Sequence, residues 1–253
     1  FFYVPQSVFP IYFVMRLSKA PKRSGYWKKM RPMTAEAEWD DTAGKYKLYT
    51  GYRRDISGDD IGAWFDFDTT EGEQIEVRMG VSFTSIANAR ENLDKEQAGM
   101  AFDTAERRAF KSWNDILSTI EVEGGTADQK TVFYTAFYHM LIHPGILQDV
   151  NGDYPIMEHA TTGRTSRNRY TVFSLWDTYR NVHQMMTLLF PAKQMDMIDT
   201  FINMYKEWGW LPKWELYGRE TMEMEGDPAL PIIVDTWMKG FRDFDVDAAY
   251  EAM

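Results

Sequence analysis

Two stretches of this 253-residue chain combine carboxylates with indoles at close spacing. The first is Phe173-Ser174-Leu175-Trp176-Asp177-Thr178-Tyr179-Arg180. A carboxylate near the start of an apolar segment is costly to bury without hydrogen bonds, and it is suited to accept two bonds from vicinal sugar hydroxyls. The neighbouring indole offers an apolar face to a pyranose ring. The alternative makes Asp177 part of a structural ion pair with Arg180 or Arg169 and puts Trp176 in the core. The second stretch, Trp208 to Asp227, holds three Trp, four Glu and one Asp between two helices. Long ordered loops in compact domains tend to be functional. Neighbouring carboxylates such as Glu215 and Glu220, with Trp214 beside them, are what acid/base work on glycosides requires, because burial and like charge separate two pKa values. The alternative here is an aromatic loop packed on its neighbours with its acids in solvent.

Other groupings carry less. His139 and His143 stand four residues apart, but the Glu that follows the first His of a zinc-hydrolase helix is missing, so they read as a core and a loop histidine and no metal ligand is assigned. Asp149-Val150-Asn151-Gly152-Asp153 begins like a calcium loop, yet lacks the acidic residue that would close it, and reads as a turn. No glycine pattern of a nucleotide site and no nucleophile elbow is present.

The elements that must position these residues change character along the chain. Ile75, Val77, Met79, Val81 and Phe83 alternate with Glu76, Arg78, Gly80 and Ser82, which predicts a half-buried antiparallel strand. Shorter runs at Val8 to Leu17, Lys45 to Arg53 and Ile61 to Phe67, separated by polar turns, complete the pattern of part of a sandwich, with Pro10 marking the first run as an edge or bulged strand. After Ser85 the period becomes helical. Phe110, Trp113, Leu117 and Ile120 predict an amphipathic helix with Asp103 as its N-cap, broken by Gly124-Gly125. Thr126-Ala127-Asp128-Gln129 has the form of a capping box ahead of Val132 to Ile142. Further helices are expected from Val172 to Phe190, from Lys193 to Trp208 closed by Gly209, from Asp227-Pro228 to Gly240, and from Asp245 onward. The fold class is mixed, β then α, and the absence of a fixed repeat period disfavours a solenoid.

Composition narrows the partners. A net charge of -10 repels phosphate backbones, so nucleic acid is excluded as a partner. No apolar run is long enough to span a membrane. With no cysteine, a disulfide framework and thiolate chemistry are excluded, while cytosol and periplasm both remain open. A start at Phe1 and a stop at Met253 soon after a new helix begins give the expectation of a fragment.

Taken in order, Val81 to Ala89, Val132 to His139, Asp149-Val150-Asn151-Gly152, Phe173 to Arg180, Gly209-Trp210-Leu211-Pro212 and Gly226-Asp227-Pro228 through Lys239-Gly240 resemble glycoside hydrolase family 92. The resemblance covers most of the chain from about Phe9. It implies an exo-acting, calcium-dependent, inverting α-mannosidase, secreted or periplasmic, that acts on terminal α-mannosides of glycans. The implied fold is an incomplete N-terminal β-sandwich (residues 1–93), a helical connector (94–125) and the first helices of an (α/α)6 catalytic toroid (126–253). The family's acid and base segments lie downstream of its counterpart to Lys239-Gly240 and do not occur here, so no catalytic residue is assigned and the chain alone is expected to be inactive. Its calcium ligands are likewise expected mostly outside this chain. Asp177 matches the family's substrate-binding Asp in the terminal mannose subsite; Trp176 and Arg180 share its motif, and Trp214, Glu215 and Glu220 are further substrate-binding candidates. Arg219 departs from the Asn of many members. Competing readings are a non-catalytic carbohydrate-binding or scaffold protein on the same fold, and a glycoside phosphorylase.

Overall fold

The structure is a computed structural model that describes residues 10–29, 46–50, 56–58, 60–97 and 99–253. Strands come first and helices follow. The chain forms two compact units, one spanning Arg16–Arg78 and the other made of the chain on either side of it. The strands are β1 (Tyr12–Leu17), β2 (Arg23–Lys29), β3 (Tyr46–Thr50), β4 (Ile61–Asp66) and β5 (Val77–Ser82). Val8 and Phe9, and Lys45 with Gly51 to Arg53, lie outside the described residues.

Within the first unit, β2 is the centre of an antiparallel sheet with β3 and β4 on its two sides. The sequence reading missed β2, whose run of basic and small residues hides its pattern. Trp27 stands across from Gly62, where an added Cβ would lie 2.4 Å from the indole. The glycine leaves the room that the ring occupies.

The alternating strand is present as β5, but its faces are reversed from expectation. Met79 and Val81 are exposed, whereas Gly80 and Ser82 are buried. The cause is a helix the sequence reading did not place, α1 (Ile86–Gln97), capped by Ser85, whose hydroxyl accepts from Asn88 N–H at 3.0 Å. It lies so close that a Cβ at Gly80 would meet the Ala89 carbonyl at 2.1 Å. A small residue, and not an apolar one, faces the helix.

Next come α2 (Phe102–Leu117) and α3 (Ala127–Met140). Helix α2 starts behind Ala101, which is extended and whose carbonyl takes the first bonds from Thr104 and Ala105. Asp103, expected as the cap, instead lies in the first turn, where its charge favours the helix dipole. The capping box on α3 is complete: Gln129 N–H donates to Thr126 Oγ1 at 3.2 Å, and Thr126 N–H donates to Gln129 Oε1 at 2.9 Å.

The strands β6 (Gly145–Ile146), β7 (Asp153–Pro155), β8 (Thr162–Arg164), β9 (Tyr170–Thr171) and β10 (Phe173–Ser174) are short and antiparallel, with β6 pairing with β9 and β7 with β8. They give way to α4 (Leu175–Thr178), α5 (Val182–Leu189) and α6 (Pro191–Trp208). The helix expected from Val172 to Phe190 is therefore two helices and a strand. Helix α6 has Pro191 at its first turn and ends on Gly209 in the left-handed region at φ 97°, as its residues dictate. After the pair β11 (Trp214–Leu216) and β12 (Arg219–Glu220) come α7 (Ala229–Met238) and α8 (Val246–Ala252), the latter capped by Asp245. Helix α7 begins one residue later than expected, with Pro228 in the capping position. Phe173, Leu175, Ile198, Phe201, Ile202, Ile232 and Ile233 form the centre of the core that binds these elements. Burying each such side chain contributes about 1.5–3 kcal/mol.

Candidate functional site

The two stretches singled out by their chemistry meet on one sheet, ordered β10–β11–β12. Phe173 pairs with Glu215 and Ser174 with Trp214; Glu215 in turn pairs with Glu220. Alternation then sorts the side chains. Phe173, Glu215 and Glu220 are all buried, while Ser174 and Trp214 share the opposite, partly exposed face.

Asp177 and Trp176 follow from β10 on the single turn of α4, and both are exposed. The Asp177 carboxylate accepts from the Ser174 hydroxyl, the residue opposite Trp214. The structural ion pair considered for Asp177 is not formed: Arg169 donates to Glu207 at 2.7 Å, and the Arg180 guanidinium lies 5.3 Å from the Tyr179 ring. Trp176 is 40% exposed and is not a core residue. The structure thus brings together an accessible carboxylate and two indole-bearing positions.

Glu215 and Glu220 face inward and organise the hairpin. Each Glu215 oxygen has its own backbone donor, Gly218 N–H to Oε1 at 2.5 Å and Val172 N–H to Oε2 at 3.0 Å, and the Thr171 hydroxyl adds to both. Burial pushes this carboxyl up from 4.5 to about 7, against the pull of those donors and of the charge on Arg169. Glu220 accepts from the N–H groups of Lys213, Trp214 and Met222 at 2.8–2.9 Å. Its own N–H donates to Glu158, which also holds Arg219 at 2.8 Å. Val172, Tyr217, Met222, Met224 and Glu158 all have positive φ without being glycine. Non-glycine residues in that region cluster at functional sites, held by surrounding hydrogen bonds.

A buried polar chain fixes α4 from behind. The Thr178 hydroxyl lies 3.0 Å from His183 Nε2, and His183 Nδ1 lies 3.0 Å from Gln194 Oε1. Gln194 Nε2 donates to the Thr236 hydroxyl at 3.1 Å, which donates to the Ile232 carbonyl at 2.8 Å. Because an amide oxygen only accepts, His183 carries its proton on Nδ1 and accepts from Thr178 at Nε2. Burial pushes His183 down to about 4, so the ring is neutral at pH 7.

Sequence reasoning missed two further hubs. Asp149 is buried at the head of the turn closed by Gly152 N–H at 2.8 Å. Its Oδ2 accepts from Ser82, Thr84 and Asn88 and its Oδ1 from Asn92, which ties β5 and α1 to the turn. The signal was the Asp-Val-Asn-Gly-Asp run, read correctly as a turn but not as an anchor. The second hub is Glu207, which receives Arg169 at 3.2 and 2.7 Å, Tyr154 at 2.7 Å and the Met157 N–H at 2.8 Å. His139 is exposed at the end of α3 and not in the core; His143 is exposed ahead of Pro144. Among the described residues, no three His, Asp or Glu gather as a metal site. The carboxylates of Asp149 and Asp153 already accept from protein donors. Also among the described residues, no helix is long and apolar enough to cross a membrane.

Residues 88–253 match the glycosyl hydrolase family 92 catalytic domain, and residues 2–82 match the family 92 N-terminal domain. The fold is similar to that of a family 92 α-mannosidase from Bacteroides thetaiotaomicron, at 28% identity and a TM-score of 0.80, over 96% of this chain and 31% of that one. The complex of that enzyme with mannoimidazole aligns equally well, over 96% of this chain and 30% of that one. A family 92 inverting mannosidase from the same bacterium gives 28% identity and a TM-score of 0.81, over 96% and 31% of the two chains. The chain therefore spans under a third of the length of the solved structures it resembles. Comparison with curated proteins found no match.

Proposed function

This chain belongs to glycosyl hydrolase family 92, and from that membership we propose that it forms the mannose-holding part of an inverting exo-α-mannosidase. The observation that carries the reading is Asp177: an exposed carboxylate on a braced helical turn, joined by one hydroxyl to the strand residue opposite Trp214. In this role Asp177 accepts from two mannose hydroxyls, Trp176 and Trp214 offer apolar faces, and Arg180 stands at the edge as a donor. Glu215 and Glu220 hold the hairpin that presents Trp214. Hydrolysis with inversion needs an acid that protonates the leaving oxygen and a base that activates water on the opposite face. In this reading both come from other segments of the enzyme, as do the ligands of its calcium. The strands are part of a sandwich, the helices part of an (α/α)6 toroid, and the enzyme is secreted or periplasmic and acts on glycans that end in α-mannose.

Calorimetric titration of the chain with methyl α-mannoside tests the reading. Binding is expected in the wild type, and at least a tenfold loss in Asp177→Asn, which keeps the shape and removes an acceptor. Equal affinity in the two would overturn the role of Asp177. Turnover of an aryl α-mannoside by the chain alone would overturn the assignment of acid and base to other segments.

A further inference from the structure

Helix α4, which carries Trp176 and Asp177, is four residues long, and a single turn of helix is too short to hold its shape by backbone bonds alone. Its shape is fixed by ties at both ends. At the start, Leu175 is fully buried in the core and its N–H donates to the Lys213 carbonyl at 3.3 Å. At the end, Gln184 Nε2 donates to the Tyr179 carbonyl at 3.0 Å, and the Thr178 hydroxyl donates to His183 Nε2 at 3.0 Å. Asp177 lies between these ties. Among the described residues only the Ser174 hydroxyl donates to its carboxylate, so the direction in which that carboxylate points depends on the turn beneath it.

His183 is the tie that the fold keeps at a cost. It is 1% exposed in the first turn of α5, with its ring 6.2 Å from that of Phe201, where an apolar side chain of similar size would need no polar partner. The imidazole needs two and has both, Thr178 at Nε2 and Gln194 at Nδ1. Gln194 is itself fully buried and held by the Thr236 hydroxyl at 3.1 Å. A buried polar network with every member satisfied rigidifies what it joins. This one draws on α5, α6 and α7 and ends on the residue next to Asp177.

We propose that His183 is a positioning residue of the mannose grip, which acts through the Thr178 hydroxyl to hold Asp177 in the orientation that accepts two sugar hydroxyls; the proposal rests on the mannose reading above. The buried ring touches no sugar, so its effect on binding passes through Thr178. The test is calorimetry of the chain with methyl α-mannoside, below the melting transition of every variant. The variants are Thr178→Val, Thr178→Ser, His183→Leu, the Thr178→Val/His183→Leu double and Asp177→Asn. Asp149→Asn is the control, destabilised at a hub that makes no bond to α4.

Thr178→Val and His183→Leu are each expected to weaken binding at least fivefold, and the double variant less than twofold further, because both remove one tie. Thr178→Ser keeps the hydroxyl and stays within twofold of wild type; Asp149→Asn melts lower but binds as wild type does. A role confined to stability lowers the melting temperatures of Thr178→Val and His183→Leu and leaves their affinity unchanged. That result overturns the proposal, while a loss in Asp177→Asn keeps the mannose reading. Losses that multiply in the double variant, a Thr178→Ser as weak as Thr178→Val, or an equal loss in Asp149→Asn overturn it too. If His183→Leu does not fold, the Thr178→Val and Thr178→Ser pair decides by the same thresholds. If wild type binds no mannoside, or Asp177→Asn changes nothing, the mannose reading fails first and the positioning role falls with it.

Discussion

Asp149→Asn is a change of one atom that the geometry makes expensive. The carboxylate takes donors on both oxygens, with Asn92 on Oδ1 at 2.7 Å and Ser82, Thr84 and Asn88 on Oδ2 at 2.9, 2.5 and 3.0 Å. An asparagine must turn its NH2 toward one set or the other. Toward Oδ1 it meets Asn92 Nδ2, and Asn92 cannot flip because its own oxygen accepts the Val150 N–H at 2.9 Å. Toward Oδ2 it meets Asn88 Nδ2, held by Asn151 at 3.1 Å on the other end of the amide. Ser82 cannot rotate to accept either, since its oxygen already receives the N–H groups of Thr84 and Ser85; the Thr84 hydroxyl already takes Asn88 Nδ2 at 2.7 Å, and turning it to accept the new amide as well leaves the Ser82 proton facing that amide. One buried donor is left facing a donor, which costs about 1–3 kcal/mol, and the remaining bonds weaken from charged to neutral. The sum is roughly 3 kcal/mol, or about 6–12 °C in melting temperature for a chain of this size. Urea unfolding measures it. The same substitution in an Asn92→Ala background lets the amide face empty space, so its cost falls by about 1–2 kcal/mol. A cost under 1 kcal/mol, or full additivity of the two changes, would refute the donor-against-donor reasoning.

Two buried groups set opposed pH dependences. Glu215 is raised from 4.5 to about 7, so it contributes stability below pH 4.5 that is lost as pH rises through 7. His183 is lowered from 6.5 to about 4, so its contribution is full above pH 6.5 and is lost as pH falls toward 4. Each is worth about 3 kcal/mol, and between pH 4.5 and 6.5 they offset one another. Urea titrations across that window are expected to show stability rising with pH in Glu215→Gln and falling with pH in His183→Gln; parallel curves would count against both. Glu207→Gln strips the counter-charge from a guanidinium that is 1% exposed, and is expected to cost about 3–5 kcal/mol in denaturant midpoint analysis. Arg169→Met alongside it should recover much of the loss, and an unrecovered double variant would argue that packing dominates.

Periodicity found most of the long helices because their ends carry chemistry of their own: the Thr126 box, Pro191, Gly209 and Asp245 are local signals that need no tertiary context. It failed where distant residues decide. Val172 to Phe190 has helical composition, but Val172 takes φ 66° because its N–H is claimed by Glu215, forty-three residues later. The reversed face of β5 has the same origin, since nothing in its alternation announces that α1 will press on Gly80. At the site, the sequence singled out Asp177 and Trp176, and both are exposed, whereas the inward turn of Glu215 and Glu220 was not legible. Their acidity suggested chemistry toward solvent, and only the strand register shows that they satisfy the backbone of their own loop.

The chain of hydroxyl, imidazole and amide behind α4 has a direction. Every member from Thr178 to Thr236 can both give and receive, so on its own the series could run either way, with the Gln194 amide, the His183 tautomer and the Thr178 hydroxyl all reversed together. The Ile232 carbonyl at its far end can only receive, and it breaks the tie. The orientation of a hydroxyl one residue from Asp177 is therefore decided by the backbone of α7. Replacing Gln194 by Glu would set a second acceptor against the Thr236 hydroxyl, whose proton the Ile232 carbonyl already takes, and the arrow would lose the link that carries it.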